Sequence, residues 1–143
     1  LNFKFKKKDS TMKFFFIVSI IIFNVIYSST SFAEWEIVAE NSEDTIFIET
    51  TSIKKSNGII YYWVIRNYTK PDKWGDLSSK GLYQTDCKVP LKSKRLAGFF
   101  YNGPMGTNEV TTTLTAEFLK KKSYQYASPG SGYELVIKFA CNY

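Results

Sequence analysis

Cys87 and Cys141 are the two side chains of this sequence that can do covalent chemistry with each other. In an exported chain an even cysteine count reads as a disulfide, because the compartment is oxidising. The alternative is a reactive thiol pair, but the two are far apart in sequence and there is no C-x-x-C. A bridge would close a loop of about 54 residues, for which chain entropy predicts roughly 4 kcal/mol of stabilisation. The rest of the catalytic inventory is thin. The chain has no His, which removes the commonest general base, the Ser-His and Cys-His pairs and the commonest transition-metal ligand. Zinc sites need Cys or His clusters, so no metal is expected. There is no P-loop and no G-x-G-x-x-G, and Gly103-Pro104-Met105-Gly106 lacks the strand–helix flanks of a phosphate cradle. Glu43-Asp44, Glu109 and Glu117 show no spacing that singles out an acid/base pair and read as surface acids. The residues therefore predict neither an enzyme nor a cofactor.

Contact chemistry is better represented. Beyond residue 33 lie Trp35, Trp63, Trp74 and nine tyrosines. Such side chains offer large contact area at low entropy cost, but they also fill cores. Trp63, on an apolar strand, is expected in the core. Trp74 sits in a polar loop, where with Lys70 and Lys73 it is a candidate partner contact. Asn67-Tyr68-Thr69 matches the common glycosylation acceptor pattern.

The compartment is read from residues 12–33. Lys13 follows Met12, the apolar run from Phe14 to Tyr27 is interrupted by Asn24, and Ser31 and Ala33 stand at the −3 and −1 positions of a signal-peptidase site. The run of about 14 residues is short of the roughly 20 needed to span a bilayer. A cleaved signal peptide is expected, with an uncleaved anchor as the alternative. Residues 1–11 are read as an extended n-region or an upstream start before a true start at Met12. There is no Cys near the cleavage site, so no lipid-attachment signal is expected. The leader carries Lys4, Lys6, Lys7, Lys8 and Lys13 against Asp9, so the net charge of +6 falls to only about +2 beyond it. The case for a nucleic-acid partner falls with it. The remaining basic groups, Lys88, Lys92, Lys94 and Arg95, and Lys120-Lys121-Lys122, read as solvated faces.

Residues 34–143 suit one domain. Trp35–Ala39 and Thr45–Thr50 are strand-like. Asn57-Gly58 marks a type I′ hairpin into Ile59–Arg66, which is apolar on both faces and so is expected to be covered on both sides. Residues 70–76 form a loop, 81–87 and 95–101 are strands, 102–106 is a turn, and 110–114 can extend that hairpin. Residues 115–127 carry no clear signal. Ser131 and Glu134 form a capping box before Tyr133, Val136, Ile137 and Ala140 at helical spacing. Residues 132–141 are read as a short helix, with a strand as the alternative. Consecutive strands and a terminal helix make an α+β domain: a small antiparallel β-sheet with a C-terminal helix and one disulfide.

Several segments taken in order resemble the bacterial surface-adhesin E family. They are Ser42-Glu43-Asp44-Thr45, Ile59-Ile60-Tyr61-Tyr62-Trp63, Asp86-Cys87 followed by basic residues, Tyr101 to Pro104-Met105-Gly106, and Pro129-Gly130-Ser131 with a final Cys141. The likeness covers nearly all of residues 34–143. The family pattern often has Trp a few residues before Pro-Gly-Ser, where this chain has Tyr124. The resemblance implies a sheet with a helix packed on it, tied by a Cys87–Cys141 bridge. It also implies adhesion to host cells and to extracellular-matrix or serum proteins, and a homodimer among the assemblies to expect. The rival expectation is a periplasmic structural or envelope accessory protein with a bacterial partner.

Overall fold

The computed structural model describes residues 34–143, so the leader expected over 1–33 lies outside the described residues. β1 (Trp35–Glu40) pairs with β2 (Asp44–Glu49). Asn41 shapes the turn between them: its Oδ1 accepts from the backbone N–H of Glu43 at 2.7 Å and of Asp44 at 3.0 Å. That local bond is why Asn favours turns. A 3-10 turn (Thr50–Ser52) leads to β3 (Lys54–Ser56), which returns through Asn57-Gly58 into β4 (Ile59–Tyr68). Asn57 has φ 52° and Gly58 φ 78°, the left-handed pair that a type I′ turn requires. There follow β5 (Ser78–Asp86), β6 (Lys92–Tyr101), β7 (Val110–Thr113), α1 (Ala116–Lys120), β8 (Gln125–Tyr126) and α2 (Gly132–Asn142).

The strands form one sheet in the order β1-β2-β4-β5-β6-β7, with β3 added along β4 and β8 along β6. Every pairing is antiparallel. The register sorts side chains onto two faces, because successive residues alternate. Val64 lies opposite both Ile48 and Gly81, and Tyr62 opposite Tyr83. This face carries the core, in which Ile48, Ile60, Tyr62 and Val64 pack with Val136 and Ala140 of α2. Ile137 is buried as well. The helix expected over 132–141 is thus observed one residue longer, and the strand alternative is excluded. Its apolar stripe is the one expected, except that Leu135 is exposed. Ser131 Oγ accepts from the Glu134 N–H at 3.1 Å. The returning Glu134 carboxylate takes the N–H of Gly130 at 2.7 Å, one residue before the usual capping-box partner. The Lys138 side chain and then this N–H hold the Glu134 carboxyl below its ordinary range.

Cys87, just past the end of β5, is bonded to Cys141 in the last turn of α2, 54 residues away with Cα atoms 5.8 Å apart. Among the described residues no helix is long and apolar enough to cross a membrane.

Two expectations are corrected. β4 is not covered on both sides: α2 covers one face, and the Pro104–Gly106 turn reaches the other only near Ile65 and Tyr101. Trp63 therefore does not enter the core, because the odd positions of β4 point away from the helix; it is half-buried and stacked on Phe99. The segment 115–127 contains α1, capped by Thr115 Oγ1 accepting from the Phe118 N–H at 3.2 Å, and the two-residue β8.

Candidate functional site

The loop between β4 and β5 holds the three residues proposed as contacts. Asp72 organises it, its Oδ1 accepting from the N–H of Trp74 at 2.8 Å and of Asp76 at 3.0 Å. Gly75, at φ 89°, makes the bend that other residues adopt only with strain. Trp74 is 72% exposed. The Lys73 ammonium sits 4.1 Å from its ring centre, within cation–π range. Lys70 is exposed but borders a separate shallow hollow with Glu43, Tyr68 and Asp72. The structure brings Lys73 and Trp74 together and leaves Lys70 apart.

A larger surface lies on the face of the sheet that no helix of the described residues covers. Trp63 and Phe99 stack with ring centres 6.3 Å apart. The Lys80 ammonium lies 5.0 Å from the Trp63 ring centre and 5.1 Å from that of Trp35. Leu82 lies opposite Trp63 in the register, and Ile37, opposite Phe47, is 55% exposed. Strands β1, β2, β4, β5 and β6 thus contribute to one aromatic and aliphatic patch with a single cation at its centre. Ile37 is exposed and the rings of Trp35, Trp63 and Phe99 are half-buried, and apolar surface left open to solvent in this way is the kind interaction sites use. At the β6 end, Tyr124, which stands where the family pattern has Trp, accepts a hydrogen bond from Gln84 Nε2 at 2.7 Å and lies under Lys92. Sequence reasoning placed Trp63 in the core and so missed this patch. Its signal was the second apolar stripe of β4 with only one helix predicted to cover it.

The opposite face holds a groove of about 480 Å³ beside the N-terminus of α2. Tyr62, Tyr83 and Tyr133 form one wall, with ring centres 6.1 Å apart for the first pair and 6.5 Å for the second. Tyr62 is fully buried, and its hydroxyl meets Thr85 Oγ1 at 2.6 Å. Arg95 donates to the Tyr83 hydroxyl from Nε at 2.7 Å and from Nη2. Ser93 lies beside the Tyr62 and Tyr133 phenols, but its buried hydroxyl makes no well-formed hydrogen bond. Asp44 and Arg66 form an ion pair at the groove's edge.

Burial pushes the Tyr62 phenol up to about 12. The unfolded chain ionises near 10. The folded state keeps its proton longer, so this stabilisation is complete below pH 10 and is lost as pH rises through 12. We expect the free energy of unfolding from urea titration to fall over that window, by about 3 kcal/mol in all from this group. Tyr62→Phe should flatten that part of the pH profile. An unchanged slope in the variant would assign the alkaline loss to other groups.

The model of the surface-adhesin protein E family matches residues 35–142. No curated protein and no solved structure matches this chain. The family match spans β1 to the end of α2, including both half-cystines and the aromatic strands that build the two faces. The chain therefore belongs to the surface-adhesin protein E family.

Proposed function

We propose that this protein is an exported, non-enzymatic adhesin domain that engages an extracellular-matrix or serum protein of a host. Family membership over residues 35–142 carries the reading. The face of the sheet away from α2 supports it, since Trp35, Trp63 and Phe99 offer the aromatic contact area that interfaces favour, with the Lys80 charge held against two of the rings. Trp74 and Lys73 extend the contact chemistry to the β4–β5 loop, with Lys70 as an outlying charge. Export through the leader at 12–33, cleaved after Ala33, fits the single disulfide, which persists in oxidising compartments. A homodimer would have the same aromatic face available, and sedimentation of the protein alone reports it.

The test is saturable binding of the exported, oxidised protein to immobilised matrix and serum proteins. Trp63→Ala is expected to weaken binding about tenfold or more, as for an interface hot spot, and Lys80→Ala about two- to threefold. Trp74→Ala should have a smaller effect. Absence of saturable binding, or binding indifferent to all three variants, would sink the reading. Protease shaving of intact cells should remove the protein. Its protection until the outer envelope is opened would favour an envelope accessory role instead.

A further inference from the structure

The groove on the helix face carries charge that the described residues do not neutralise. Their ion pairs are Arg66–Asp44, Lys92–Asp86, Lys121–Glu117 and Lys138–Glu134. Arg95 is in none of them, although it is only partly exposed. A guanidinium has five N–H donors. Arg95 turns two of its nitrogens to one oxygen, the Tyr83 hydroxyl, and makes no other side-chain hydrogen bond among the described residues. Withdrawing an ion from water is costly unless it finds a counter-charge. Lys94 and Lys122 also line the groove without a carboxylate partner among the described residues and add to its positive charge.

Beside these cations the lining mixes polar groups, among them Asn41, Ser79, Gln125 and the Arg66-paired Asp44, with an apolar part. Ile46, Val64, Val136, Leu114 and Leu119 contribute, with Tyr133 closing one side. At Gly81 the floor is covered by the side chains of Tyr83 and Arg95. A Cβ there would lie 2.8 Å from a Tyr83 ring carbon and 3.3 Å from Arg95 Nε, so glycine is what lets both side chains lean across the strand. A concave, largely apolar space with a few placed polar groups is the usual form of a small-molecule site, and about 480 Å³ lies within the range of such sites.

We infer that this groove binds an amphiphilic carboxylate, with its anionic head on Arg95 and its hydrocarbon body along Ile46, Val64 and Val136. The planar guanidinium matches a carboxylate through two parallel N–H···O bonds. Lys122 supplies long-range attraction and contributes less. The site is on the face opposite the aromatic patch, so it stands or falls separately from the adhesin reading.

The probe is decanoate, kept below its micelle concentration and titrated into the oxidised exported protein, with amide chemical shifts as the readout. Shifts are expected at Gly81, Tyr83 and Gly132, saturating together, with the Trp63 indole unmoved. Decyltrimethylammonium, which has the same tail and the opposite charge, should bind at least about tenfold more weakly. Arg95→Gln should lose decanoate affinity about tenfold, in line with one charge-assisted bidentate pair. Arg95→Lys should recover part of it, and Lys122→Gln should lose two- to threefold. Equal affinity for the two amphiphiles, shifts centred on Trp63, or no saturation would each overturn the assignment. If Arg95→Gln does not fold, the comparison of the two amphiphiles on the unaltered protein still decides.

Discussion

Replacing both Cys87 and Cys141 with Ser is expected to destabilise the domain by about 4 kcal/mol. The bridge spans 54 residues, with β6, β7, α1, β8 and most of α2 lying between its ends. It removes from the unfolded chain the many conformations in which those ends are apart. The native state also depends on it locally. α2 has only 11 residues, too few to be stable alone in water. It docks through Val136, Ile137 and Ala140 on one face of the sheet, and among the described residues no helix covers the other. A domain of this size has about 5–15 kcal/mol in total, so the loss should lower the melting temperature by roughly 15–25 °C. Removing both thiols avoids leaving a reactive cysteine. Chemical denaturation of the variant and of reduced wild type should give coincident midpoints. A melting temperature unmoved by reduction would show that the crosslink adds nothing to the native state.

What the sequence revealed of this fold were the features with local causes. Asn57-Gly58 announces its hairpin because the backbone there must be left-handed at two successive positions. Ser131 and Glu134 announce the start of α2 because one bonds the other's N–H. Features fixed by distant partners were hidden. β5 begins at Ser78, three residues earlier than expected, since two buried serines do not read as a strand. Their reason is tertiary: Ser78 Oγ donates to the Gly103 carbonyl at 2.6 Å and accepts from the Gly106 N–H at 2.9 Å. The basic run was read as solvated, yet Lys92 pairs with Asp86 and Arg95 leans on Tyr83, contacts supplied by the neighbouring strand. The contact surface was misjudged for a related reason. Periodicity shows that β4 is apolar on two stripes, but only the tertiary fold says which stripe a helix covers. For Trp74 the loop was legible from its Pro, Gly and Asp, but not the exposure, since a loop aromatic can also fold back onto the sheet.

Removing Arg66 should be nearly as damaging as removing the bridge, although half of its side chain faces solvent. The reason lies with Asp44, which is 1% exposed. Its carboxylate accepts from Arg66 Nε on one oxygen and from Asn41 Nδ2 at 2.9 Å on the other. In the register Asp44 faces Tyr68 and Ile46 faces Arg66, so the pair is diagonal across β2 and β4 on the helix face. Deleting one partner of a buried pair typically costs about 3–5 kcal/mol, because the other charge stays buried. Water can reach part of the vacated Arg66 position, since that side chain is 52% exposed. We therefore expect about 2–3 kcal/mol for Arg66→Leu. Asp44→Asn should cost less, because it removes the buried charge while keeping the shape and a hydrogen-bond acceptor for Asn41. The double variant is the sharper measurement. With the carboxylate gone, the second substitution no longer strands a charge, so Arg66→Leu in the Asp44→Asn background should cost well under its effect alone. Additive losses would mean that Arg66 stabilises the sheet by packing, through its contact over the Tyr68 ring, rather than by holding Asp44.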